Sequence, residues 1–180
     1  HTIGNYEYGF YWYFYLDGTI QLEVKLTGVI GVGVPEGGNG TETAPLVAPG
    51  ISSPIHQHIF CVRLDPAIDG FNNSVVETNV EHDDTGAHPY GAGFRATTTT
   101  LATESDAKRD NNPSASRTWK IVNNSSLNEL GVPVGYKILP QASPNYMVPE
   151  GTPAGERGGF ARHHLWVTAY DENEQYAGAG

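Results

Sequence analysis

The sequence is poor in several features that would assign it to a common class of protein. It has a single cysteine, Cys61, which excludes an internal disulfide. Ten basic residues face 20 acidic ones, a formal net charge of −10, and no basic stripe of the kind that binds nucleic acid is present. No apolar run approaches the roughly 18–20 residues of a membrane-spanning helix. We therefore expect neither a nucleic acid nor a membrane as a partner.

A sustained helical period is also missing, whereas turn-forming residues are abundant. The 180 residues include 22 glycines and 12 prolines. Strand-like runs recur every dozen or so residues, with turn signals between them. This pattern predicts an all-β fold, and the length is enough for one domain with a sizeable core.

The densest strand signal lies at the start of the chain, where eight of the ten residues in 6–15 are aromatic. We predict a two-residue hairpin turn at Asp17-Gly18, which would place Tyr13 opposite Leu22 and Tyr11 opposite Val24. In that register the first strand has apolar side chains on both faces. A strand buried twice predicts a large antiparallel β-sandwich (a supersandwich), of which this chain would be only a part.

Further segments are assigned from the same signals. Strands are predicted within residues 53–65, 93–107, 117–124, 134–140 and 161–171, and loops within residues 31–50 and 77–93.

The triplet His56-Gln57-His58 is the clearest candidate metal site. On a strand, side chains two positions apart point the same way, so two imidazoles can converge on one ion. Imidazole suits copper, zinc, iron and nickel, and affinity alone favours Cu(II). Two hydrogen-bonded strand histidines remain the alternative interpretation. Cys61 would point to the opposite face and is not counted as a ligand.

Several motifs together resemble one enzyme family. Residues 2–8, Thr-Ile-Gly-Asn-Tyr-Glu-Tyr, fit the pattern Thr-x-x-Asn-Tyr-Asp/Glu-Tyr. The segments DGTIQLEVKLTGV, HQHIFCVRLDPAIDG, NELGVPVGYK and HHLWVTAY follow in the family's order. The whole chain thereby resembles the copper-containing primary amine oxidases, the topaquinone family. The resemblance implies oxidative deamination of a primary amine by O2 to an aldehyde, ammonia and hydrogen peroxide.

The resemblance also implies roles for individual residues. Tyr6 would be the precursor of topaquinone, and His56 and His58 would be two of three copper(II) ligands. Asn5 would orient the cofactor ring, although the sequence alone equally allows a role for Asn5 in a backbone turn.

A second metal site is implied further along the chain. Asp65, with the backbone carbonyls of Leu64 and Pro66, would belong to a peripheral site of the calcium type. Pro66 departs from the residue types of the family, but a carbonyl ligand survives that change.

Other parts of the family's site are not found in this sequence. The third copper histidine and the catalytic aspartate are expected outside it, so residues 1–180 are interpreted as a central fragment of the catalytic β-sandwich domain, inactive in isolation. Members of the family are usually homodimers, which implies a second copy as a partner. We expect His82 and His88 to lie in a solvated loop, and His163 and His164 to have structural roles.

Two alternatives come from other classes of protein. Gly50 followed by His56-x-His58 also matches the start of a cupin motif, typical of metal-dependent oxygenases. That motif needs a glutamate where this chain has Val62 and Arg63. The other alternative is a non-catalytic β-sandwich binding module, with the aromatic residues as core and the histidines inert.

Overall fold

The computed structural model of the protein describes residues 1–140 and 144–177. The chain divides into two compact units, His1–His58 and Ile59–Gly180. Every sheet is antiparallel, and helix is limited to one short α-helix and three single 3₁₀ turns among the described residues. The prediction of an all-β, antiparallel fold is confirmed. No helix in the described part of the chain is both long and apolar enough to span a membrane.

The first unit is built on a three-stranded sheet in the order β1-β2-β3. Its strands are β1 (Thr2–Ile3), β2 (Tyr6–Phe14) and β3 (Ile20–Gly28), followed by a 3₁₀ turn at Glu36–Gly38 and the small pair β4 (Leu46–Ala48) and β5 (Ile51–Ser52). The aromatic and β-branched residues of β2 and β3 favour strand because such side chains fit the pleated surface.

The β2–β3 hairpin forms where the sequence predicts it, but the predicted register is wrong by one residue. Tyr13 pairs with Gln21 and Tyr11 pairs with Glu23. The reason is the turn: the amide of Gly18 donates to the carbonyl of Tyr15 at 3.0 Å, and Gly18 has a φ of +85°. A type I turn followed by a left-handed glycine makes a three-residue loop, one residue longer than the predicted turn.

That shift also changes which side chains of β3 lie beside each face of β2, because a slip of one residue moves every side chain of a strand to the opposite face. The hydroxyl of Tyr13 donates to Glu23 at 2.7 Å on one face. On the other face Phe10, Trp12 and Phe14 are 51%, 47% and 75% exposed. One face of β2 therefore carries polar pairs, and its apolar face is accessible to solvent in residues 1–180; burial of both faces stays a prediction for the whole sandwich.

The second unit contains a four-stranded sheet in the order β10-β9-β6-β7 and a two-stranded sheet of β8 and β11. The elements are β6 (Ser74–His82), β7 (Phe94–Thr100), β8 (Lys108–Arg109), β9 (Thr118–Leu127), β10 (Pro133–Ile138), α1 (Pro153–Arg157) and β11 (Leu165–Trp166), with 3₁₀ turns at Pro113–Ala115 and Gly159–Arg162. Trp119, Ile121 and Val122 of β9 and Ala107 form its buried apolar centre.

A buried carboxylate lies beside this apolar centre. Glu77 of β6 is 2% exposed and accepts hydrogen bonds from Arg109 Nε at 2.7 Å and Trp119 Nε1 at 2.9 Å, while Arg117 Nε lies 3.1 Å away. Burial opposes ionisation of Glu77, but the hydrogen bonds from Arg109, Trp119 and Asn79 outweigh it and lower its pKa to about 2. The charge is retained because it is fully paired.

The predicted strands in residues 93–107, 117–124 and 134–140 are confirmed by β7, β9 and β10. Residues 77–93 were expected to be loop, but residues 77–82 belong to β6. The buried charge of Glu77 gives this strand a composition typical of a loop, and arginines distant in sequence neutralise that charge. Residues 53–65 form no strand; within them Pro54 has no amide to donate to a ladder. In residues 161–171, strand is confined to Leu165–Trp166.

Candidate metal and cofactor site

The candidate site lies entirely in the first unit, where β2 begins. Tyr6 is the first residue of β2 and pairs with Gly28 at the end of β3. Gly28 has a φ of +98°, and a Cβ there would lie 2.5 Å from the carbonyl oxygen of Asn5. Only glycine fits this close approach, so the end of β3 can lie directly against the turn that precedes Tyr6.

Tyr6 and the two histidines of the triplet are brought together. The Tyr6 hydroxyl lies 3.2 Å from His56 Nε2. The Tyr6 ring lies 5.9 Å from the ring of His56 and 5.1 Å from that of His58, measured between centroids. Tyr6 and His58 are partly buried, whereas His56 is exposed. The three side chains predicted for copper and cofactor are therefore neighbours.

The two imidazoles converge although their segment is not a strand. His56 Nε2 and His58 Nε2 are 3.0 Å apart. His56 Nδ1 lies 2.8 Å from the carbonyl oxygen of Pro54. Because a carbonyl only accepts, Nδ1 of His56 carries the proton and, in the neutral ring, Nε2 presents its lone pair to His58 and Tyr6. This is the tautomer that a metal ligand needs, fixed by a backbone group.

A second tyrosine, which the sequence did not single out as a site residue, contacts the other histidine. The Tyr8 hydroxyl lies 2.9 Å from His58 Nδ1. Tyr6 and Tyr8 share one face of β2 because they are two positions apart, and His56 and His58 are separated by the same number. The tyrosine pair and the histidine pair thus have the same spacing, and this match is the signal in the sequence that could have identified Tyr8 as a partner of His58.

The segment after β3 supports the Tyr6 hydroxyl from the other side. The amide of Gly31 donates to Tyr6 Oη at 3.1 Å. The carbonyl of the same residue accepts from Ser53 Oγ at 2.8 Å, and Ser53 is 3% exposed. An open depression beside Tyr6 and His56 is bordered by Gly31, Val32 and Pro54. Both backbone polar groups of Gly31 are thus hydrogen-bonded, and its amide donates to the phenol oxygen.

The side chain of Asn5 bonds to the backbone of the segment that follows β3. Its side-chain amide donates to the carbonyl of Val29, and the amide of Val29 donates to the Asn5 carbonyl at 2.8 Å. These bonds tie the turn before Tyr6 to the end of β3. The ring-orienting role of Asn5 stays a prediction, and its observed contacts fix the position of the neighbouring Tyr6 backbone.

The residues of the expected calcium-type site lie apart from this cluster in sequence. Leu64, Asp65 and Pro66 belong to the irregular part of residues 53–67, with Leu64 54% exposed. Within residues 1–140 and 144–177, no group of three or more His, Cys, Asp or Glu side chains is arranged to hold a metal ion. The second site stays a prediction, and so does the assignment of His56 and His58 as copper ligands.

Four further histidines, His82, His88, His163 and His164, contact nearby carboxylates. His82 Nδ1 lies 2.9 Å from Asp84, and its hydrogen bond to that carboxylate raises the pKa of His82. His82 is the last residue of β6, not part of a loop as expected. His163 and His164 each place Nδ1 3.0 Å from the carboxylate of Asp110. These two pairings hold β11 close to the chain that follows β8.

Comparison with known proteins identifies the family of the chain. The family model for the copper amine oxidase enzyme domain matches residues 1–180. Histamine oxidase of Arthrobacter globiformis is 45% identical over 178 residues, covering 98% of this chain and 26% of that protein. Copper methylamine oxidase of Arthrobacter sp. (strain P1) is 39% identical over 177 residues, covering 98% and 27%.

A solved structure gives the same result for the fold. The copper-containing benzylamine oxidase from Hansenula polymorpha superposes with a TM-score of 0.86 at 31% identity, covering 98% of this chain and 28% of that one. The predicted fold class is confirmed. The chain spans about a quarter of the length of the curated relatives it matches, and it belongs to the copper amine oxidase family.

Proposed function

We propose that the whole protein is a primary amine oxidase that uses copper and a quinone cofactor. It converts a primary amine, O2 and water to an aldehyde, ammonia and hydrogen peroxide. The observation that carries the proposal is the convergence of the Tyr6 hydroxyl and the Nε2 atoms of His56 and His58. Relatives named as histamine, methylamine and benzylamine oxidases support an amine as the substrate.

The donor atoms of the cluster fit a copper ion. Two imidazole nitrogens with a phenol oxygen beside them suit Cu(II). His56 Nε2 carries a lone pair directed at His58 Nε2 only 3.0 Å away, so a proton or a cation must lie between them. We propose that His56 and His58 are copper ligands and that a further ligand comes from the remainder of the amine oxidase chain.

Tyr6 is the proposed precursor of the quinone, which we assign as topaquinone. Copper bound here would lower the pKa of a coordinated phenol and supply redox chemistry with O2. The protein's own contribution is position and electrostatics. The Gly31 amide, 3.1 Å from Tyr6 Oη, is placed to stabilise negative charge on that oxygen. Ser53, through its bond to the Gly31 carbonyl, keeps that amide in place.

The remaining proposals rest on family membership and charge. A net charge of −10 attracts cationic amines. We also propose that residues 1–180 form part of the catalytic domain, that the protein is a homodimer, and that Leu64, Asp65 and Pro66 contribute to a calcium-type site.

Phenylhydrazine tests the proposed function, because only a quinone carbonyl forms the coloured hydrazone. The protein expressed from its full coding sequence should give this adduct after loading with copper in air. Tyr6→Phe should bind copper, give no adduct and consume no O2 with an amine. Bound copper without an adduct in the unmodified protein would instead support a cupin-like oxygenase or a binding module.

A further inference from the structure

Tyr8 and His58 form a contact that the proposed function does not use. Tyr8 Oη lies 2.9 Å from His58 Nδ1, and the ring centroids are 5.7 Å apart. Both side chains are partly buried. His58 Nδ1 is the nitrogen directed away from His56, so Tyr8 contacts the side of the ring opposite the proposed metal position.

The two histidines differ in the group that faces Nδ1. For His56 it is the carbonyl of Pro54, which only accepts, so the proton of the neutral ring must stay on Nδ1. For His58 it is the hydroxyl of Tyr8, which both donates and accepts. His56 is therefore restricted to one tautomer, whereas both tautomers of His58 find a partner.

Each tautomer of His58 corresponds to one state of the site. With its proton on Nε2, His58 donates to His56 Nε2 at 3.0 Å, and its Nδ1 accepts from the hydroxyl of Tyr8. With its proton on Nδ1, His58 donates to Tyr8 Oη, and its Nε2 lone pair is available to a metal ion. The ring is neutral in both states, since Nε2 releases one proton to solvent and Nδ1 takes up one from solvent.

We propose that Tyr8 is a positioning residue for the metal ligand His58, holding its ring in place and allowing its tautomer to change when metal binds. The inference rests on the proposed function, which supplies the metal ligand. A hydrogen bond to the outer nitrogen of a ligand histidine fixes the ring and raises its basicity, and loss of such a partner costs about 10- to 100-fold in metal affinity.

The first measurement is Zn²⁺ binding to the copper-free protein expressed from its full coding sequence, since Zn²⁺ has no redox chemistry of its own. Tyr8→Phe should weaken binding by about 10- to 100-fold. The matched control is Tyr13→Phe, which removes a hydroxyl from the same strand, one that donates to Glu23 at 2.7 Å. The control should bind Zn²⁺ like the unmodified protein.

The second measurement separates positioning from a purely structural effect. In the Cu(II) protein, electron spin-echo envelope modulation reports hydrogen bonding at the outer nitrogen of each imidazole ligand. Tyr8→Phe should shift the signal of one imidazole and leave the other, held by Pro54, unchanged. Replacing Tyr8 with 3-fluorotyrosine, which keeps the ring and hydroxyl and therefore the packing, should shift the same signal by a smaller amount.

His58→Ala distinguishes failure of this inference from failure of the proposed function. If His58→Ala binds Zn²⁺ as tightly as the unmodified protein, the metal site itself is wrong. If His58→Ala loses Zn²⁺ while Tyr8→Phe keeps full affinity, or if the fluorotyrosine protein has an unshifted spectrum, Tyr8 has no positioning role and the metal site stands.

Discussion

The hydroxyl of Tyr6 lies 3.2 Å from Nε2 of His56, although 50 positions separate the two residues in the sequence. The contact joins the first residue of β2 to a segment without regular hydrogen bonding. That segment is held by individual contacts: Ser53 to the Gly31 carbonyl, and the Pro54 carbonyl to the ring of His56. The position of the candidate site thus depends on a few identifiable bonds, each of which can be removed.

His58→Ala should abolish both bound copper and quinone formation in the full-length protein, because the metal is needed to make the cofactor from Tyr6. Copper content and the absorbance of the phenylhydrazine adduct check this. His88→Ala, which removes an imidazole 3.6 Å from Asp83 in the second unit, is the control and should leave both unchanged. A normal quinone spectrum from His58→Ala would contradict the assignment.

Gly31→Ala should slow quinone formation. A Cβ at this position would lie 3.3 Å from Tyr6 Oη, so the hydroxyl must move and its bond from the Gly31 amide weakens. Loss of about 1 kcal/mol from that bond corresponds to about a fivefold slower rate. The time course of quinone absorbance after copper addition measures it. Gly33→Ala meets no atom within 4 Å and should form the cofactor at the normal rate; equal rates for both variants would refute the crowding argument.

Glu77→Gln should destabilise the β6–β9 sheet by about 3–5 kcal/mol, because it leaves Arg109 and Arg117 without their shared carboxylate. Amide hydrogen exchange of β6 and β9, followed by mass spectrometry, measures the opening free energy. Glu81→Gln lies on the same strand, but its pair with Arg95 is exposed and 3.4 Å long. That control should cost less than about 1 kcal/mol.

The same carboxylate predicts how stability depends on pH. The pKa of Glu77 is lowered to about 2 in the folded chain from an ordinary value of 4.5. Its stabilisation is therefore complete above pH 4.5 and is lost as pH falls from 4.5 toward 2. The full contribution is about 3 kcal/mol. Exchange protection of the β6–β9 sheet should fall over this interval in the unmodified protein and less in Glu77→Gln; parallel curves would show that other groups cause the loss.

The sequence predicted the strands and the main site residues by different routes. Alternating and β-branched residues identify β7, β9 and β10 from local pattern alone. The placement of Tyr6 beside His56 and His58 came from family resemblance, because no local rule brings residues 50 positions apart into contact.

Some of the errors share a physical cause, which is an interaction with a partner elsewhere in the chain, whereas the register error comes from the local turn at Gly18. No strand was predicted over β6, and its residues from Glu77 onward were assigned to a loop, because the charge of Glu77 is neutralised by Arg109 and Arg117, which are distant in sequence. Residues 53–65 have a strand-like composition but no ladder of backbone hydrogen bonds. His56 is held instead by the contact of its side chain with the Pro54 carbonyl. The sequence does not distinguish Tyr8 from the other aromatic residues of β2. Its role follows from the contact between its hydroxyl and His58.

The β2–β3 hairpin differs between its turn and its strands in the changes of chain length that it can accept. Removing one residue within β3, with the loop unchanged, would slip the strand by one position, and Gly28 would no longer lie opposite Tyr6. A bulkier residue would then press on the Asn5 carbonyl, where even a Cβ is too close. Removing one residue of the loop can instead keep every pair, since a two-residue turn also closes an antiparallel hairpin. Insertions and deletions are therefore tolerated at the turn, whereas within β3 they displace the one glycine that the start of β2 requires.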